Sequence, residues 1–342
     1  MSTILLGPFY IVFMTIVPVF AVIVTGFIAG KLKIFDQRFA DGLLTFVFYF
    51  ALPALLFIKI STVPPILIFS KDMWLFSLVI VCINIVAYWV TWGFNVWVLK
   101  KTIAIATVNA MCATVANSAL LGVPILLALF GHSVLLPCAI VIILVTFLSY
   151  IPSSIILSCC HKKPRITSIK STLKVSGLFI ASAPMIWMPV LAIICSVSGW
   201  HVSYQLTAYL TYLQYAVVPC ALFAAGLSIA FLSPEKGMWL YVINISFMKL
   251  IVMPLLAVLL AGYFHLPPKL GIIAIILSSI PTAKSVLTLT NSYHVKEVHA
   301  AKLVALSTII AAVTVTFWVM VAGMIYPSYF AYYAMIPWYA SP

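Results

Sequence analysis

The chain has 342 residues, 65% of them hydrophobic and 7% charged, with a mean hydropathy of +1.25. Soluble domains carry about 25% charged residues, so water is excluded as the solvent for most of this surface, and lipid suits it. The net charge of +13, from 18 Lys+Arg against 5 Asp+Glu, would suggest nucleic acid in a soluble protein, but here the basic residues lie in short loops between apolar runs, and no polar segment carries a basic stripe with interleaved aromatics.

In chain order, residues Met1 to Pro8 have no basic n-region, and the apolar run over about 9–30 is too long for a signal-peptide core, so it reads as a retained first span. Polar breaks then divide the chain into ten spans of roughly 20 residues each. They cover about 9–30, 39–59, 74–98, 103–130, 134–158, 176–198, 206–231, 239–263, 269–293 and 301–326. Trp74, Trp97, Trp200 and Trp239 fall at span ends, where an aromatic belt would put them. Alternate loops hold 13 of the basic residues, among them Lys31, Arg38, Lys100, Lys162, Lys236 and Lys302, and the opposite loops hold 3, Lys59, Lys71 and Lys269. That split puts the first set in the cytoplasm and both termini outside.

The segment 159–175, with Lys162, Lys163, Arg165, Lys170 and Lys174, is the most polar internal stretch. It separates a first five-span repeat (1–158) from a second (176–342). An odd number of spans per half makes the halves inverted relative to each other, a common transporter plan. ALPALLF at 51–57 and VVPCALF at 217–223 put Pro53 and Pro219 at matching places. The fold class expected is an all-α membrane protein of ten helices in two inverted repeats. The seven cysteines lack any C-x-x-C pair and any histidine at metal-ligand spacing, and read as small packing residues. No metal or cofactor is expected.

Two spans are broken near their middles. The fourth contains Asn117, Ser118, Gly122 and Pro124, and the ninth contains Pro281, Thr282, Lys284 and Ser285. Such breaks survive in lipid only inside protein or beside a cavity, because an unpaired backbone group costs too much elsewhere. Both are fourth in their half, and paired interruptions at corresponding places point to a transporter's site. Broken helices end in free N–H groups and positive dipole ends, and two of these facing each other make an anion cradle. Pro124 and Pro281 are each expected in the first turn of the half-helix that follows.

Lys284 lies 15 positions into its span (284 − 269), roughly 22 Å deep at about 1.5 Å per residue. A central charge costs about 3 kcal/mol on insertion scales. All five acids, Asp36, Asp41, Asp72, Glu235 and Glu297, sit in loops or at span ends. Lys284 is therefore expected to face the cavity without a carboxylate partner and to attract an anionic substrate. Lys249, ten positions into the eighth span, is expected to reach the interface or to fill a polar gap. Proton and sodium sites usually draw on buried acids, so transport without a carboxylate sodium site is the expectation. No G-x-S-x-G, H-E-x-x-H or Ser–His–Asp set stands at membrane depth, which argues against an enzyme.

The segments PVFAVIVTGFIAGKLKIF (18–35), ALPALLF (51–57), NSALLGVPILLALFG (117–131), VVPCALFAAGLSIA (217–230), KLIVMPLLA (249–257) and IPTAKSVLTL (280–289) together resemble the auxin efflux carrier family. Its members include plant auxin exporters and bacterial permeases for malate- or malonate-like acids. The resemblance implies that helices 1, 2, 6 and 7 form a scaffold and helices 3–5 and 8–10 a transport domain. It implies that broken helices 4 and 9 cross at the substrate site near the membrane midplane, beside Pro124 and Pro281, and that Asn117 matches the family's asparagine. It also implies elevator-like motion and a homodimer in a plasma or bacterial inner membrane. Lys284 departs from the plant pattern, which argues against auxin as substrate. The expected function is thus a secondary transporter of a small organic anion. A sodium-coupled organic-acid or bile-acid symporter of the same architecture and a transport-inactive sensor are the alternatives.

Overall fold

The computed structural model describes residues 2–160, 177, 181–200, 202–231, 239–293, 295 and 297–334. The basic segment 159–175 falls, apart from its first two residues, outside them. Among the described residues the chain is all-helical, with one isolated β-bridge and no strand. In order, the helices are α1 (Ser2–Lys31), α2 (Gln37–Ser61), α3 (Lys71–Gly93, prolonged through Phe94–Val98) and α4 (Ile103–Thr114). α5 (Val123–Phe130) follows a wide turn over Ser118–Gly122, and α6 runs over Leu135–Val145, Thr146–Tyr150 and Ile151–Cys160. The second half holds α7 (Pro184–Ser198), α8 (Tyr204–Gln214), α9 (Val217–Ala230) and α10 (Trp239–Phe247, continued through Met248–Val252 and Met253–Tyr263). It ends with α11 (Pro268–Ser279), α12 (Ser285–Ser292), α13 (Glu297–Ile325) and α14 (Pro327–Ala334).

By length and composition, five helices among the described residues can cross a membrane, or six if the bent pair Lys302–Ala311 and Val313–Ile325 is one span. The chain is thus a multi-pass membrane protein. α4 and α11, at 12 residues each, fall short of the roughly 20 a span needs because each is half of an interrupted segment. Trp74, Trp97 and Trp200 are exposed at helix ends.

Helix starts are set by short polar side chains. The Asp36 carboxylate accepts the Phe39 N–H at 2.8 Å, and Ser70, Thr102 and Ser203 cap α3, α4 and α8 in the same way. α7 stops at Gly199, whose φ of +67° a side chain would disfavour.

Two groups of helices pack together. α1 lies against α9, and α2 packs on α7, α8 and α9. The α1–α9 seam is backbone on backbone. A Cβ at Gly26 would overlap the Phe223 carbonyl, a Cβ at Gly226 would overlap the Ile23 carbonyl, and one at Gly30 would stand 2.6 Å from the Ala230 methyl. Gly26/Gly30 and Gly226/Ala230 are thus facing small-xxx-small pairs, the usual device for close approach where lipid supplies no hydrophobic drive.

In the other group α3 packs on α4, α6 and α10, and α11 packs on α10 and α13. Buried polar residues recur along α3 at Asn84, Tyr88, Thr91 and Asn95, spacings of one helical face. Ser149 donates to Asn84 Oδ1 at 3.1 Å, the Tyr88 and Ser153 hydroxyls are 2.8 Å apart, and Asn109 donates to Asn95 Oδ1 at 2.5 Å. These bonds tie α3 to α6 and α4 inside the apolar layer. Lys249 does not reach an interface. It is fully buried, with its ammonium 3.6 Å from the Met253 sulfur, and is a packed interior residue. It lies in the wide turn over Met248–Val252, and its burial there could not be revealed by counting along the span.

Candidate functional site

The two interruptions meet. α4 ends at Thr114 and the chain turns extended at Val115, with ψ of 96°. α11 ends at Ser279 and the chain turns extended at Ile280, with ψ of 140°. Ala116 and Thr282 then form an antiparallel bridge. The Asn117 N–H donates to the Pro281 carbonyl at 2.8 Å, and the Ala283 N–H donates to the Val115 carbonyl at 2.9 Å. Backbone groups freed by the breaks satisfy each other here, as water-free surroundings require. The Thr282 hydroxyl adds a bond to the Cys112 carbonyl at 2.6 Å, and the Thr282 N–H donates to Ser307 Oγ of α13 at 3.3 Å.

Beside this crossing lies a small, partly open cavity. Residues 115–120 of the first break and 283–285 of the second line it, with Phe48 of α2, Ile142, Val145, Thr146 and Tyr150 of α6, and Met185 and Ile186 of α7. Its wall is mainly apolar with a few polar groups gathered at the breaks, the usual make-up of a small-molecule site. Ser118 Oγ is buried and has no hydrogen-bond partner among the described residues. A buried hydroxyl left unpaired costs about 1–3 kcal/mol, so this atom is one for a ligand to satisfy. The chain re-enters helix at Ser118 and at Ser285, so the first-turn N–H groups and positive ends of both restarted helices stand at the cavity wall.

Of the eight residues singled out from sequence, Asn117, Ser118, Lys284 and Ser285 line the cavity. Gly122, Pro124, Pro281 and Thr282 do not. Gly122 is a packing position, where a Cβ would come within 2.6 Å of the Leu277 side chain. Pro124 sits in the first turn of α5. Pro281 stays in the extended stretch, because α12 resumes only at Ser285. The bridge to Ala116 needs extended backbone at this point, and that requirement overrides proline's preference for a helix start. Thr282 is the clasp of the crossing.

The expectation that no carboxylate reaches Lys284 is corrected. Its Nζ is 3.4 Å from Asp41 Oδ1 and 3.3 Å from Ser228 Oγ. Both side chains of the ion pair are substantially exposed, at 40% and 56%. Depth counted along one span measures only that span. Asp41, in the second turn of α2, belongs to a helix that passes alongside, and the long lysine stem closes the gap. Sequence reading also missed Phe48, Tyr150 and Ile186, which carry no signal beyond their hydrophobicity.

Comparisons with known proteins identify the family. A family model described as "Membrane transport protein" matches residues 11–319. The chain is 25% identical to the "Putative malonate transporter" of Rhizobium meliloti (strain 1021), over 88% of this chain and 92% of the relative. It is 26% identical to the "Uncharacterized transporter YfdV" of Escherichia coli (strain K12), over 91% of this chain and 97% of the relative. The "Uncharacterized transporter YfdV" of Shigella flexneri matches over the same shares of both chains. These names and the family are those of transporters, not of enzymes. The chain therefore belongs to the membrane transport protein family, the auxin efflux carrier family that its motifs resemble.

Proposed function

We propose that this protein is a secondary transporter that moves a small organic anion, a carboxylate, across a plasma or bacterial inner membrane. One observation carries this reading: a cavity at the crossing of two broken helices, lined by Lys284 and by Ser118, whose buried hydroxyl has no partner among the described residues. Positive helix ends and a partly exposed lysine beside a mainly apolar cavity suit a carboxylate. Similarity to a relative named for malonate supports a small dicarboxylate.

The same reading takes the chain as ten spans in two inverted repeats, with both termini outside. Pro53 and Pro219 differ by 166 positions (219 − 53), and so do the bridged Ala116 and Thr282 (282 − 116). A short sequence match and a backbone contact thus give one repeat offset. α1, α2, α7, α8 and α9 (spans 1, 2, 6 and 7) act as the scaffold, paired with a second copy in a homodimer in the family manner. α3–α6 and α10–α13 (spans 3–5 and 8–10) act as the moving domain of an elevator-type cycle. The two packing groups and the polar bonds internal to the second support this division. No sodium site built on acids is included, since Asp36 and Asp72 stand at helix starts and the carboxylate of Asp41 is engaged by Lys284.

The test is reconstitution in liposomes with charge movement recorded on jumps of malonate, malate, citrate and indole-acetate, without a sodium or pH gradient. The expected result is a dicarboxylate current that Lys284→Ala loses. A current that appears only with sodium would replace this reading with the symporter. Binding without flux, by current or by isotope exchange, would replace it with the sensor.

A further inference from the structure

Lys284 is shared between the cavity and an acid outside it. Its side chain lines the cavity, yet its ammonium is 3.4 Å from Asp41 Oδ1 and 3.3 Å from Ser228 Oγ. Asp41 is not on the cavity wall. Its Oδ1 also accepts from Gln37 Nε2 at 3.0 Å, a second partner on its own helix. Asp41 stands on α2 and Ser228 on α9, which pack against each other, whereas Lys284 belongs to the break between α11 and α12. The pair therefore joins the two packing groups. It is also one-sided. At the repeat offset of 166 from the proposed function, Lys284 corresponds to Ser118 and Asp41 to Thr207, so the other half has neither charge.

We propose that Asp41 is a tethered competitor for the transported anion, a specificity-determining residue whose carboxylate occupies Lys284 until a substrate carboxylate takes its place. This rests on the anion-transport reading above. An anion that enters the cavity meets an ammonium already neutralised, and must displace the Asp41 carboxylate or bind beside a like charge. A group with two carboxylates feels that like charge about twice as strongly as a group with one. Displacement also releases one of the contacts between the packing groups, which meet as well where α1 touches α13 and α5, α9 touches α5 and α2 touches α6. Because both partners are partly exposed, solvent and salt screen the pair, and an exchange of partners is cheap. A pair of this kind shifts an equilibrium by at most about fivefold.

The experiment uses the full chain in lipid nanodiscs, with malonate and acetate affinities measured for wild type, Asp41→Asn, Lys284→Gln and the double variant. The expected result is that Asp41→Asn tightens malonate about fivefold and acetate about twofold, and that neither gain survives in the Lys284→Gln background. Asp41→Ala, run in parallel, gives the same tightening and guards against a folding defect peculiar to one substitution. An unchanged malonate affinity in both Asp41 variants overturns the proposal, as does an equal gain with Lys284→Gln present, which would mark a diffuse field effect. Wild-type binding that Lys284→Gln weakens, with no response to Asp41, leaves the transport reading standing and this proposal alone refuted. Failure of wild type and of Asp41→Asn to bind malonate or malate refutes both.

Discussion

The two breaks perform the same backbone task with different side chains. Each lends one N–H and one carbonyl to the crossing, and each restarts its helix at the cavity. The first break offers the cavity a buried hydroxyl, Ser118, and re-enters helix through a wide turn. The second offers a partly exposed ammonium, Lys284, and carries the clasp, Thr282. Structural closure and ligand chemistry are thus divided unequally between two segments of like architecture. A similar backbone can be kept at both places while the side chains two positions past the bridge, at 118 and 284, are free to differ.

Exchanging those side chains gives the largest expected effect. Ser118 is 3% exposed, so Ser118→Lys buries a charge with no acid beside it and lowers stability by about 3 kcal/mol or more. Thermal unfolding in detergent measures this. Lys284→Ser removes a partly exposed cation and leaves the melting temperature within about 2 °C, because exposed pairs contribute at most about 1 kcal/mol. Equal losses from the two variants would erase the contrast. An intermediate effect is expected from Thr282→Val, which deletes the hydroxyl bonded to the Cys112 carbonyl. It costs about 1 kcal/mol, visible in the same melts, with no change in anion selectivity. The smallest effect belongs to Ser118→Ala. The hydroxyl has no partner to lose among the described residues, so its removal raises stability, by up to about 1 kcal/mol, and malonate affinity falls about twofold to fivefold if the ligand satisfies the hydroxyl. Titration calorimetry on the purified protein would register it.

Much of this was legible in the sequence because breaks in lipid are expensive. Asn117 and Ser118 before Pro124, and Pro281 before Lys284, stand out against apolar runs that tolerate little else. The ion pair was not. Asp41 and Lys284 are 243 residues apart, and only the packing of α2 beside the second break brings them together. Pro281 misled because a proline can suit either a helix start or an extended strand, and the choice was made by its partner across the crossing. The α1–α9 seam left a trace in GFIAG and GLSIA, a small-xxx-small signal that identifies a close contact but not which helix answers which.

That seam also sets an order of assembly. Gly26 and Gly226 are 200 residues apart (226 − 26), and ribosomes add about 5–20 residues per second. The first helix therefore waits roughly 10–40 s in the bilayer before the helix that covers its glycine face has been made. During that interval lipid fills the groove, and α9 must expel it to dock. Docking of α9 is thus a displacement of lipid by protein along a surface that, at Gly26 and Gly226, admits nothing larger than a hydrogen atom.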